Sequence, residues 1–426
     1  MIDLHTGTVT QRPVSKQFGE VSMYRDESAV KQEDLEQRLG DLENRASQII
    51  TRARKRFEDD PDAYLELSRK ERNELRKFLF LMKYRNLNFF ERYNHASIDN
   101  YNASDKAKIQ EYMTRKGLQS PRDVWLSNIR AFLEIELDPE KKWYHVLKEK
   151  AYGDDALLFL MHAETTFMCF CRPESSTDEF LLTANAYGVF EGPAGMSMDV
   201  ENGRQFHGLY TEWHNFAPLS PTLTIVLRSV FLPGGVVDGG EGVRTHIHSM
   251  LQAYHMSAEH ASSCLQDLPV ERCHTSYGRI ENKHFVPSPG FKNYSDKDRF
   301  YFRCFPIPTR HVNLINTVML EESWKTDYLT FRKGAAAART LKAYLEMTDR
   351  SFKVFLNRND PGLVRMRNLE KALRELGDSA QTHCTMVRLP NLRTHMTTFV
   401  GARVSAAIKT TQPQLMQLYG TLTQGK

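Results

Sequence analysis

The sequence predicts an α+β protein, mainly helical, with helices packed around a small mixed or antiparallel sheet. Three observations carry this. Apolar residues recur at helical steps through most of residues 31–172 and again after 310. Between 173 and 310, runs rich in β-branched and aromatic residues alternate with Gly, Pro and Asn turn signals. No internal repeat and no Pro- or Ser-rich linker interrupts the chain. One continuous module over 31–400 is therefore expected (helical 31–172, sheet-containing 173–310, helical 310–400), with an extended lead-in over 1–30 and a tail over 401–426.

The elements follow in order. Leu35, Leu39, Leu42, Ala46, Ile49, Ala53 and Phe57 mark a long amphipathic helix that Asp59-Asp60-Pro61 ends. Ser68 with Glu71 has capping-box spacing and opens a second helix running to about Tyr93. Ser104 is a candidate cap for a short helix stopping at Gly117. Ser120-Pro121 and Asp138-Pro139 each pair a capping side chain with a proline suited to the first helical position. Asp154 and Asp155 suit the positive end of a helix dipole and open an apolar, central helix over Ala156–Cys171. Strands are predicted at 180–183, 187–190, 223–231 and 301–307, with a glycine-rich acidic loop over Pro233–Gly242. Helices are predicted at 243–256, from Thr309 through Glu322, and over 334–355 and 361–377.

Composition narrows the class. Hydrophobic residues are 41% and charged residues 26% of the 426, an ordinary globular balance. A net charge of +4 permits an RNA partner without pointing to one. No apolar run is long enough to span a membrane, so no membrane association is expected. The six cysteines are scattered, which suits reduced thiols and a cytoplasmic location.

Several clusters could carry chemistry. His246-Ile247-His248 with His255 and His260 invites a metal, but residues two apart face different sides of a helix, so no metal is assigned. Cys273-His274 and His383-Cys384 could form a thiol–imidazole pair, although sequence adjacency does not establish geometry. Thr183, Asn185, Tyr187 and Glu191 stand near one strand end. Glu212, His214, Asn215 and Ser220 precede a strand that ends near Arg228. Carboxylate, imidazole, hydroxyl and guanidinium groups delivered to strand ends can perform acid–base chemistry; the plainer alternative is that they shape turns, with Arg228 paired to a nearby acid. Basic residues crowd Arg52, Arg54, Lys55 and Arg56 and recur at Arg69, Lys70, Arg72, Arg76, Lys77, Lys83 and Arg85. Two neighbouring helices could present them as one phosphate-facing surface, or as ordinary solvated faces.

Four ordered blocks resemble a large fungal family of formerly uncharacterised proteins: Leu75–Arg85, Asp154–His162, Glu179–Thr183 through Glu191-Gly192-Pro193, and Phe216–Pro221. The likeness spans roughly Tyr24 to Tyr344. That family is similar to the group containing the arginine-containing cyclodipeptide synthases. The resemblance implies synthesis of an arginine-containing diketopiperazine in fungal secondary metabolism, from arginyl-tRNA and a second aminoacyl-tRNA. Two departures bear on activity. Relatives commonly begin with a His-Phe-Ile-Pro-type segment that would precede Met1, and Ala184 stands where they often carry an acidic residue.

Such a reaction starts from an activated ester, so no cofactor or metal is expected. It calls for an acyl acceptor, a base for the attacking amine and a carboxylate for the substrate guanidinium. The expected roles are Ser220 as acceptor, His214 as base and Glu191 or Glu212 as guanidinium partner. Asn185, Tyr187, Thr183 and Arg228 would bind substrate, and Arg52, Arg54, Lys55, Arg56, Lys77, Lys83 and Arg85 the RNA. Two alternatives remain open: a metal-dependent hydrolase or nuclease using Asp154, Asp155, Glu164 and the nearby histidines, and a non-catalytic binding or regulatory module descended from a truncated relative.

Overall fold

A computed structural model describes residues 1–13, 32–103, 105–192, 194–198, 206–210, 212–230, 232, 263–281, 284–323, 326–349, 352–355 and 361–386. The expected cap at Ser104, the loop 233–242, the helix 243–256 with His246, His248, His255 and His260, and the tail 401–426 lie outside these residues.

The architecture is α+β. Helices dominate its first part: α1 (Gln32–Asp59), α2 (Arg69–Tyr84), α3 (Leu87–Tyr93), α4 (Lys106–Lys116), α5 (Pro121–Glu134), α6 (Trp143–Lys150) and α7 (Gly153–Glu164). Ser68 and Glu71 close the predicted capping box at α2, and Ser120 and Asp123 close one at α5, where Pro121 occupies the first turn. The helix predicted to reach Tyr93 breaks at Asn86. Its side chain accepts from the Phe89 amide at 3.2 Å and starts α3 afresh. Asp138 also differs from expectation: it accepts from the amides of Lys142 and Trp143, so a turn containing Pro139 intervenes before α6.

The central sheet has the order β14 (Cys304–Ile307), β3 (Thr166–Pro173), β9 (Leu223–Ser229), β8 (His214–Ser220), β5 (Phe190–Glu191). It is mixed: β14 runs parallel to β3, and the other pairs are antiparallel. β3 corrects the helix predicted over Ala156–Cys171. The helix stops at Glu164, and the remaining apolar run is a strand buried on both faces, which periodicity cannot distinguish from a buried helix. Met168 and Phe170 face the helical layer, whereas Cys169 and Cys171 face a second core beneath the helix Thr309–Glu322.

A second sheet, β12 (His284–Pro287), β11 (Gly278–Glu281), β10 (His274–Thr275), β13 (Arg299–Phe302), β2 (Leu65–Ser68), flanks the helical layer. The single strand predicted over 301–307 therefore splits at Arg303, because β13 and β14 enter different sheets. A third sheet joins β1 (Ile2–Asp3), β15 (Tyr328–Thr330) and β4 (Leu182–Thr183), so the first residues are tied into the fold. The hairpin β6 (Ala194–Met198) with β7 (Phe206–Tyr210) and the pair β16 (Val354–Phe355) with β17 (Thr385–Met386) complete the described strands. The strand predicted over 187–190 is shortened, because Ala186–Gly188 is a 3-10 turn that precedes β5. The helix predicted over 334–355 ends at Glu346.

Candidate functional site

Arg69, Arg72 and Arg76 recur at steps of three and four on α2 and therefore share one stripe. That stripe forms part of the wall of a cavity of about 1750 Å³ between α2, the edge of the central sheet and the second sheet. Arg69 is clamped there: its Nε donates to the Ser295 carbonyl at 2.8 Å, and it pairs with Asp298. Arg76 donates to the carbonyls of Ala163 and Thr166, while its buried Nε has no hydrogen-bond partner among the described residues. Arg72 lies 4.1 Å from the Phe300 ring centroid and donates only to the Asn73 side chain, with no carboxylate partner among the described residues. Burial, then the charges of Arg76 and Arg69, push Arg72 down to about 9, so it stays cationic at neutral pH. The guanidinium is half-buried and, among the described residues, keeps donors free for an anion entering this space.

The opposite wall is the segment 263–273, which carries Gln266, Leu268 and Arg272 into the cavity. Several contacts hold it. Glu191 accepts from Ser263 Oγ at 2.8 Å and from the Cys264 amide at 2.9 Å. Arg228 donates to the carbonyls of Leu268 and Gln266 at 3.0 and 2.9 Å. His311 meets Asp267 at 2.9 Å, and the Cys169 thiol donates to the Glu271 carbonyl.

The predicted site residues divide between these surroundings. Glu191, His214, Arg228 and Phe167 form one cross-strand row through β5, β8, β9 and β3, on a common face and spanning roughly 15 Å. Phe167 and Arg228 reach the cavity wall; Glu191 and His214 are fully buried behind it. His214 Nδ1 lies 2.8 Å from Glu191, and burial lowers the pKa of the imidazole, which favours a neutral ring donating from Nδ1. His214 Nε2 is buried without a hydrogen-bond partner among the described residues. With donors from His214, Ser263 and Cys264 on its oxygens, Glu191 is placed to anchor the 263–273 segment. Arg228 is held by carbonyl oxygens, not by the acid that its turn-shaping alternative called for.

Ser220 is not brought to His214. It ends β8, about 20 Å along the strand, where its hydroxyl accepts from the Thr222 amide. Glu212 pairs with Lys83. Thr183 donates to Asn185, and Asn185 to the Glu322 carbonyl, which joins two segments of backbone. Tyr187 packs edge-on against Phe78. The residues expected to meet RNA divide between exposed positions at the end of α1 and partly or fully buried ones on and just after α2. Lys77 donates to the Leu133 carbonyl, Lys83 is buried, and Arg85 pairs with Glu43. Arg52 pairs with Glu71, Arg54 lies near Glu58, Arg56 donates to the Tyr64 carbonyl, and Lys55 is exposed.

The carboxylates of the hydrolase alternative do not converge. Asp155 is buried and accepts from Tyr84, Tyr93 and Asn128, whereas Glu164 pairs with Lys141. No group of three His, Cys, Asp or Glu positioned for a metal occurs among the described residues. No described helix is long and apolar enough to cross a membrane. The signal that sequence reasoning passed over was the spacing of Arg69, Arg72 and Arg76: these basic residues belong to one stripe of α2, and what that stripe faces is a cavity.

No curated protein and no solved structure matches the chain. A family model does match over residues 1–332, and on that extent the chain belongs to the family described as "Protein of unknown function (DUF4238)".

Proposed function

We propose that the arginine-lined cavity binds a phosphate-bearing substrate end, and that this end is the acceptor terminus of a charged transfer RNA. The carrying observation is the Arg69–Arg72–Arg76 stripe turned into a cavity, with Arg72 lacking a carboxylate among the described residues. Guanidinium forks suit phosphate oxygens better than any other side chain does. A recessed wall of guanidiniums suits a single-stranded end, whereas a duplex is recognised by contacts along an outer surface.

On this reading the protein is an aminoacyl-tRNA-dependent transferase. The family resemblance supports an arginine-containing cyclic dipeptide as its product. The buried Glu191–His214 pair then acts by holding the 263–273 wall in place. Glu271, at the cavity wall with no ion-pair partner among the described residues, is the carboxylate offered to a substrate guanidinium.

Arg72→Met tests the reading because it separates binding from folding. Arg72 is half-buried and has no carboxylate partner among the described residues, so its removal is expected to change the melting temperature little. Transfer-RNA affinity, measured by filter binding at fixed salt, should fall at least about tenfold. A host expressing the wild-type chain should accumulate a new arginine-bearing diketopiperazine by mass spectrometry, and the variant should not. Unchanged RNA affinity in a folded Arg72→Met protein would exclude the cavity as the RNA site.

A further inference from the structure

The cavity wall is not only cationic. Tyr294 lines it and keeps 46% of its surface exposed, whereas Phe300 and Phe302 on the same wall are buried. Its ring is held by three neighbours. Tyr277 packs edge-on at 5.1 Å between centroids, and Phe291 lies tilted at 5.4 Å. The Arg69 guanidinium sits 5.5 Å from the Tyr294 centroid and is itself fixed by Asp298 and the Ser295 carbonyl. The ring is thus a supported aromatic surface open to solvent, in the same cavity as the cations Arg72 and Arg76.

An exposed ring beside phosphate-binding guanidiniums suits one ligand class above others. A bare polyphosphate or a phosphosugar would use the arginines and leave the ring idle. A nucleotide would use both, because every base has a π-face that stacks on an aromatic side chain. We infer that Tyr294 is the stacking platform for a nucleobase, and that the cavity takes nucleotides in preference to phosphosugars and inorganic phosphates. This rests on the reading of the cavity as a phosphate site, and it specifies what the phosphate must be attached to.

The experiment is a calorimetric titration of the full chain with AMP, ribose 5-phosphate and inorganic pyrophosphate. AMP is expected to bind about tenfold tighter than ribose 5-phosphate. Tyr294→Ala should abolish that preference without changing pyrophosphate affinity, and Tyr294→Phe should retain it. The substituted ring is half-exposed, so both variants are expected to fold, which melting curves of each would check. Equal binding of AMP and ribose 5-phosphate, or a preference that survives Tyr294→Ala, overturns the stacking platform while leaving the phosphate site intact. Failure of all three ligands to bind, with no response to Arg72→Met, overturns the phosphate site and the platform together.

Discussion

His162 shows how a single side chain records its surroundings. It is buried beside Phe80, and its Nε2 lies 2.9 Å from the Arg76 carbonyl, to which it donates. Burial, then the Arg76 charge, lowers it from 6.5 to about 3. The unfolded chain therefore takes up a proton near pH 6.5 that the folded protein refuses until about pH 3. Stability from this group is complete above pH 6.5 and is lost as pH falls through that window, by about 1.4 kcal/mol per pH unit. His162→Gln keeps a donor and removes the titration. Urea unfolding between pH 6.5 and 4.5 should show a shallower loss of stability in the variant. An equal slope would place the acid sensitivity elsewhere. Asp155 makes a related point: its acidic neighbour Asp154 and helix-start position suggest a dipole partner, yet it serves as the common acceptor of two tyrosines and an asparagine inside the helical layer.

At the scale of elements, the junction between α2 and α3 depends on a glycine that local pattern does not single out. A Cβ on Gly188 would fall 1.9 Å from Asn86 Nδ2, and the same Asn86 side chain caps α3 through its Oδ1. Gly188→Ala must displace the cap, at a cost of about 1 kcal/mol for the lost capping bond. The expected result is a lower melting temperature together with faster amide exchange at Phe89. An unperturbed Phe89 amide would show that Asn86 yields without uncapping the helix. The capping box at Ser68 and the cap at Ser120 were legible in the sequence because they depend on residues a few positions apart. The end of α7 was not legible. The run from Ala156 to Cys171 is largely apolar, and only the existence of cores on both sides of β3 makes its second half a strand.

For the whole molecule, the start of the chain is a structural member. Ile2 and Leu4 are buried in a core with Leu329, Leu341, Tyr344 and Leu369, and Asn368 donates to the carbonyls of Leu4 and His5. Gly7, at φ 70°, passes so close to the Asn368 carbonyl that a Cβ would lie 2.4 Å from it. Deleting residues 1–10 should uncover this core and loosen the helix Pro361–Glu375, which hydrogen exchange can follow; retained protection there would show that the core closes without the strand.

The sequence by itself determined the α+β class, the long N-terminal helix, the caps at Ser68 and Ser120 and the extent of the helix Thr309–Glu322, because each rests on periodicity or on groups a few residues apart. It also picked out Glu191, His214 and Arg228, although not what they do. Their row exists only because β5, β8, β9 and β3 pair in one register. The cavity was decided by tertiary structure alone. Arg69, Arg72 and Arg76 look like a solvated helix face until the second sheet and the 263–273 wall are placed opposite them, and a void has no signature in a linear pattern.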